Sequence, residues 1–373
     1  MVKPHAPILV GLNLPWTHAY CGYDFGHPPR GWRGASPSPR DFERELGSAM
    51  REAYDVGVRA IRLFVLADGV AYPETGSYDD YATHALEPGM KGTKLEFAKP
   101  DAPPPAILSD EFVADLRAFF DLCHDVGLKV LPSFISFEAF FPPEIVGDGT
   151  VKHGRGVVAL GPLRDADRAH VDRFYAATLD RLLAIGGEDG APHPAVLAWE
   201  IMNEPDWCVR KRHVSGPALS RFLELGVDRI LAAGYAASIG FVRADVDWLE
   251  PAFLERLVGL GRERRYLHQL HYYPHASGDR LPVTNATAFG DATIVGEMAI
   301  NDTVRAFWPD PEVAETERDP ARFLVGRLAY AADSGYRWAF LWSRNASDDK
   351  SGFDAEIRRQ LEAFHASNGV GNA

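Results

Sequence analysis

Ala198-Trp199-Glu200-Ile201-Met202-Asn203-Glu204-Pro205 is an apolar run that turns polar at its end. It closes a predicted strand over 195–202. Ahead of it, the segment from Ala166 to Ile185 has helical periodicity and stops at Gly186-Gly187. Behind it, Pro217 to Ala233 reads as a second helix that stops at Gly234, and a further strand run follows over 236–242. Helix, strand, helix, strand at this spacing implies parallel strands joined by crossover helices.

The same alternation continues in both directions. Strands are predicted over 8–13, 59–66, 128–135, 195–202, 236–242, 265–272, 292–298 and 337–343. The remaining helices are predicted from Pro39 to Val56, Asp110 to Val126, Pro251 to Leu260, Pro320 to Ser334 and Phe353 to Ala366. Ser38-Pro39 is a cap-and-proline start. A glycine after each helix (Gly57, Gly127, Gly234, Gly261, Gly335) supplies a left-handed C-cap before the next strand. The unit after the sixth strand, about 276–291, shows no clear helix, and the Pro-rich stretch near 100–105 reads as loop. Eight units over 1–373 predict a single-domain α/β protein, a (β/α)8 TIM barrel. Its long insertions follow strands one, two, three and seven, on the face where such barrels carry their active sites. An open doubly wound sheet needs a glycine-rich phosphate turn after its first strand. Asn13-Leu14-Pro15-Trp16 stands there instead.

Composition narrows the partners. The chain has 373 residues, 46% hydrophobic and 24% charged, with a formal net charge of -13. That balance lacks the basic surface that nucleic acid or an anionic membrane requires, whereas a neutral ligand fits it. Cys21, Cys123 and Cys208 are too few and too odd for a disulfide framework. No apolar run approaches the roughly 18 residues of a membrane span. The run Ile8-Leu9-Val10 is too short for a signal-peptide core, which gives an expectation of a cytoplasmic chain.

Two glutamates fall at the carboxyl ends of predicted strands: Glu204 after strand four, and Glu297 in Thr293-Ile294-Val295-Gly296-Glu297-Met298 on strand seven. Strands four and seven lie on opposite sides of a narrow barrel. Their carboxylates can therefore face each other across a bound sugar, as retaining glycoside hydrolysis needs. Asn203-Glu204-Pro205 after an apolar strand resembles glycoside hydrolase family 5 and its clan A relatives, the cellulase- and mannanase-like retaining β-glycosidases. The resemblance spans the barrel. It implies that Glu204 is the acid/base and Glu297 the nucleophile. It also implies that Arg62 on strand two lies near the nucleophile, lowering its pKa, and that Asn203 binds the sugar 2-hydroxyl. His271 and Tyr273 match the family's His-x-Tyr on strand six, with Tyr273 on the nucleophile, and Trp342 on strand eight floors the sugar subsite. On the residues alone, Arg62 can instead pair with the inward-pointing Glu200, and His271 and Trp342 can be core. One departure stands out. Many cellulase-like members keep a histidine at the end of strand three, where this chain has Ser133-Phe134-Ile135-Ser136. Strands three and four together lean to the mannanase branch.

Aromatic residues crowd the same face: Trp16, Tyr20, Tyr23, Phe25 and Trp32, then Tyr72, Tyr78 and Tyr81, then Phe137, Phe140 and Phe141, with Trp207, Phe307 and Trp308 beyond the glutamates. Pyranose C–H faces pack on such rings. Trp16, Trp207, Trp308 and Trp342 are the candidate sugar contacts, and Asp24 and Asp206 polar ones. Arg210-Lys211-Arg212-His213 reads as a solvated loop, with recognition of an acidic sugar as its alternative. His268 and His271 are three apart and face opposite ways on a strand, so no shared metal ion is expected from them. The expected activity is that of an O-glycosyl hydrolase needing no cofactor and no metal. Its substrate class is a carbohydrate, leaning to β-mannan- or β-glucan-type oligosaccharides. Exo-acting glycosidase, transglycosylase and non-catalytic sugar-binding barrel are the alternatives.

Overall fold

The computed structural model describes residues 8–15, 39–66, 108, 110–140, 168–242, 246–273, 281–282, 288–289, 292–299, 320–344 and 353–367. In chain order these form β1 (Leu9–Leu14), α1 (Pro39–Asp55), β2 (Val58–Leu66), α2 (Asp110–Val126) and β3 (Lys129–Ser136). Next come α3 (Arg168–Ala177), α4 (Leu179–Leu183), β4 (Trp199–Asn203), α5 (Asp206–Arg210), α6 (Gly216–Ala232), β5 (Ala237–Phe241) and α7 (Pro251–Arg262). The chain continues through β6 (Tyr266–Tyr272), β7 (Thr293–Ala299), α8 (Pro320–Asp333), β8 (Trp338–Trp342) and α9 (Ala355–Ser367). The eight strands close in sequence order into a parallel barrel, β8 pairing back onto β1. This is the (β/α)8 barrel that the alternation predicted.

Two apolar layers hold it. Inside the barrel, Ala60, Leu131, Ala198, Ile294, Trp338 and Phe340 form a closed plug. Phe340 fits because Gly11 faces it: a Cβ on Gly11 would stand 2.3 Å from the ring. Outside, each helix lays one face on the strands. On α2 that face is Phe112, Leu116, Phe119 and Cys123, all fully buried, at the four-three-four spacing of a helical stripe. Burial of each large apolar side chain contributes about 1.5–3 kcal/mol. The helix ends follow local chemistry. Ser215 accepts the Ala218 N–H at the start of α6. Gly57, Gly127, Gly234 and Gly335 all take the positive φ of a left-handed cap.

Two expectations fail locally. The helix predicted from Ala166 to Ile185 is broken at Thr178, which has ψ -82. Its hydroxyl donates to the Phe174 carbonyl at 2.7 Å, taking an acceptor that the helix ladder uses. After α7 the left-handed residue is Arg264, at φ 60, and not Gly261, which stays within the helix against Phe289. Most of 276–291 and the whole of 100–105 lie outside the described residues. Among those described, no helix is long and apolar enough to cross a membrane.

Candidate active site

Alternation along β2 turns Ala60, Arg62 and Phe64 into the barrel, and Arg62 is fully buried above the apolar plug. A guanidinium has five N–H donors. Arg62 makes five bonds: Nε and Nη2 to the two Glu200 oxygens at 2.6 Å each, Nη2 to Asn203 Oδ1 at 2.7 Å, Nη1 to Asn13 Oδ1 at 2.9 Å, and Nη1 to Glu297 Oε1 at 2.7 Å. Both readings of Arg62 are thus present at once, since it pairs with Glu200 and with Glu297. Burial works against the Glu200 charge, but Arg62 and the Gln269 hydrogen bond outweigh it and hold the carboxyl below its ordinary range.

Glu200 receives two further bonds, from Ser133 Oγ at 2.8 Å and Gln269 Nε2 at 2.7 Å. Two glycines leave room for this network. A Cβ on Gly240 would stand 2.5 Å from Gln269 Nε2 and 2.7 Å from Glu200 Oε1, and one on Gly296 would stand 2.2 Å from Gln269 Cδ. Asn203 lies opposite Ser136 in the β3–β4 register, and its Nδ2 donates to Ser136 Oγ at 3.1 Å. Asn13 donates to the Gly296 and Leu341 carbonyls, tying β1 to β7 and β8.

Above this network stand the two glutamates. Glu297 accepts from Arg62 on Oε1 and from Tyr273 on Oε2 at 3.3 Å. Glu204 has φ 50, a left-handed conformation that costs a non-glycine residue about 1–2 kcal/mol. Its N–H donates to the Gly240 carbonyl at 2.7 Å, which holds the turn. Its Oε1 lies 2.9 Å from His271 Nδ1, and its Oε2 accepts the Trp207 indole N–H at 3.0 Å. His271 Nδ1 also lies 3.4 Å from Glu297 Oε2. Strand pairing is irregular between β4 and β5, β6 and β7, and β7 and β8, close to these side chains. Such breaks in register re-aim side chains beside active sites.

The carboxylates are unequally placed. The Glu297 side chain is 7% exposed and that of Glu204 16%. Burial pushes Glu297 up and outweighs the pull of His271 and Arg62, so its carboxyl sits above the ordinary range. This corrects the expectation that Arg62 sets a lowered value: the cation is in place, but desolvation of the floor dominates. Burial also pushes His271 down and Tyr273 up, keeping both neutral near pH 7.

Glu204, His271 and Glu297 each offer one ligand-type atom within 4.8 Å of the other two. The trio joins residues from three places on the barrel wall, so the alternation of His268 and His271 along one strand does not bear on it. Its carboxylate oxygens already receive Arg62, Tyr273, His271 and Trp207. The arrangement is a carboxylate pair bridged by an imidazole: the carboxylate oxygens each hold a donor, while His271 Nε2 is buried with no hydrogen-bond partner among the described residues.

Trp342 is half-buried at the end of β8 and meets Phe64 edge-on at 6.0 Å. Trp16 and Trp308, with the other aromatic residues of the loops after β1, β2 and β7, lie outside the described residues, as do Asp24 and Phe141. Phe140 packs on Phe222 in the core at 5.2 Å. Asp206 is not a cleft residue. It is 1% exposed and accepts from the Val242 N–H and the Trp248 indole, bracing the turn after β4 against β5. Burial raises its pKa to about 6. Sequence reading passed over Asn13, Ser136 and Gln269. Their one visible signal was a polar side chain inside an apolar strand run.

No family model matches the chain, and no curated protein matches its sequence. Solved structures do. A β-1,4-D-mannanase from Cryptopygus antarcticus superposes with TM-score 0.58 at 15% identity, covering 96% of this chain and 90% of that one. An endo-1,4-β-mannanase from Eisenia fetida gives 0.58 at 15%, over 97% and 92%. An exo-β-1,4-mannosidase from an Opitutaceae bacterium gives 0.55 at 13%, over 99% of this chain and 62% of that one. At such identity the likeness is one of fold, and the (β/α)8 barrel is shared with all three.

Proposed function

We propose that this chain is a retaining β-glycoside hydrolase of the family 5, clan A type, with Glu297 as nucleophile and Glu204 as acid/base. The observation that carries the reading is the pair itself: carboxylate oxygens from β7 and from the end of β4 within 4.8 Å of each other, each with its own set of donors. Retaining enzymes hold their carboxyl groups about 5–5.5 Å apart, whereas inverting ones need about 6.5–9.5 Å to admit a water.

In the first step a Glu297 oxygen bonds to the anomeric carbon while the bond to the glycosidic oxygen breaks. Glu204 gives its proton to that departing oxygen. In the second step Glu204 takes a proton from water, whose oxygen bonds to the anomeric carbon as the bond to Glu297 breaks. Arg62 and Tyr273 hold the two Glu297 oxygens in line. Asn203 has its carbonyl fixed by Arg62 and one amide hydrogen on Ser136, which leaves the second amide hydrogen as the donor for the sugar 2-hydroxyl. Trp342 offers its ring to the apolar face of the sugar. Mannanases and an exo-mannosidase among the fold neighbours favour β-mannosides as the substrate class.

The test sets wild type beside Glu297→Ala on nitrophenyl β-glycosides and on β-linked mannan, glucan, xylan and galactan oligomers. Cleavage by wild type, with a drop of roughly 10⁴-fold or more in the variant, is the expected outcome, and the preferred glycoside names the sugar. Equal rates in the two proteins sink the mechanism. The acid limb of the kcat/KM profile is expected above the ordinary glutamate range, because burial raises Glu297.

A further inference from the structure

Trp207 reaches back from the first turn of α5 to the residue that begins this turn. Its backbone N–H donates to the Glu204 carbonyl at 3.2 Å and its indole N–H to Glu204 Oε2 at 3.0 Å. The turn is anchored from below by buried Asp206, on Val242 and Trp248. From outside, the Arg210 guanidinium and the Lys211 ammonium lie 5.8 Å and 5.9 Å from the Trp207 ring centre. A cation at that range draws on the ring's electron density and makes the indole N–H a stronger donor. On the other side His271 holds Oε1.

We propose that Trp207, backed by Arg210 and Lys211, is the positioning residue for the Glu204 carboxyl, fixing Oε2 through the indole N–H. The proposal rests on the acid/base role of Glu204. An N–H donor favours the ionised carboxylate. It therefore assists the first step, in which Glu204 gives up its proton and charge develops on Oε2, and sets where the alkaline limb of activity falls. Among the described residues, ionisable and charged groups facing Glu204 include His271, Glu297, Tyr273 and Arg62 from the barrel, Asp206 in the turn, and Arg210 and Lys211 beyond the indole. Trp207→Phe alters none of them.

The experiment compares wild type, Trp207→Phe and Trp207→His on 2,4-dinitrophenyl β-mannoside and on mannotriose. A dinitrophenolate departs without a proton, whereas the sugar alkoxide of mannotriose needs one. Trp207→Phe is expected to slow kcat/KM on mannotriose roughly tenfold or more, and kcat/KM on the dinitrophenyl glycoside by less than about threefold. Its alkaline limb on mannotriose moves up by about half a unit, and Trp207→His, which keeps an N–H, moves back toward wild type. A higher KM with an unmoved alkaline limb overturns the proposal and leaves Trp207 a sugar contact. Should the variants misfold, the indole N–H resonances of wild type and Glu204→Gln decide: one signal that titrates with the alkaline limb in wild type stops titrating in the variant, and no such signal overturns the proposal. A wild type that cleaves no glycoside, or a Glu204→Ala protein as active as wild type and unaffected by azide, overturns instead the hydrolase reading beneath it.

Discussion

Arg62 binds five oxygen acceptors on four residues that come from three strands, β1, β4 and β7, and no other side chain of the set can replace it. Lysine has three donors on a compact ammonium and cannot present a planar fork to Glu200 while reaching Asn13, Asn203 and Glu297. Arg62→Lys would leave Glu200, fully buried, short of the donors that keep it ionised. Breaking a buried pair of this kind costs about 3–5 kcal/mol. The variant is expected to melt roughly 4–6 °C below wild type. It also loses about 100-fold or more in kcat/KM, because the Glu297 oxygen nearest Arg62 is no longer held. Thermal denaturation followed by circular dichroism, beside kinetics on the cleaved glycoside, checks both. A lysine variant with wild-type melting and wild-type rate would show that the fork geometry is dispensable.

At the scale of elements, the strands and helices were readable because each repeats a period: two along β2 and β7, a four-three-four stripe along α2, and a glycine at most helix ends. What periodicity does not carry is which residues face one another across strands. Glu204 and Glu297 could be named from their positions at strand ends, and Arg62 from the family resemblance. Ser136 and Gln269 could not, since their partners Asn203 and Glu200 come from the β3–β4 register and from a strand two places away, across Gly240 of β5. The break at Thr178 was hidden for a similar reason, because a threonine in a helical pattern shows its back-bond only in three dimensions. Glycine positions test this layer of the structure. Gly240→Ala and Gly296→Ala each push a methyl group into the Glu200–Gln269 network at 2.7 Å or less, so that these hydrogen-bonded side chains must shift. Overpacking is expected to cost about 1–3 kcal/mol in each. Gly259→Ala, on α7 with nothing within 4 Å of its Cβ, is expected to gain about 0.5–1 kcal/mol from helix propensity alone. Denaturant melts of the three variants decide it. Equal effects at all three sites would mean that the glycines of β5 and β7 make no special room.

Over the whole molecule, the closed sheet protects every strand edge, so acid stability depends on groups that the fold buries in one charge state. His268 is the clearest. It stacks on Phe289 at 3.9 Å, touches Tyr266, and burial lowers its pKa to about 3. In the unfolded chain the same imidazole has a pKa of about 6.5. The folded value is the lower one, so the unfolded state binds more protons between the two. Stability from this site is complete above about pH 6.5 and is lost progressively as pH falls toward 3, by at most about 4–5 kcal/mol. Asp206 works in the opposite sense over part of that range. Its folded pKa of about 6 lies above the ordinary carboxyl value, so folding favours its protonation as pH drops below 6. A substitution separates the two. His268→Gln keeps a polar side chain that cannot charge. At about pH 7 it melts below wild type, having lost the stack on Phe289. At about pH 4 the gap is expected to close or reverse, because wild type alone carries the cost of keeping an imidazole neutral there. Melting curves of the two proteins that stay parallel from pH 7 to pH 4 would remove His268 from the account of acid unfolding and place the loss on the carboxylates.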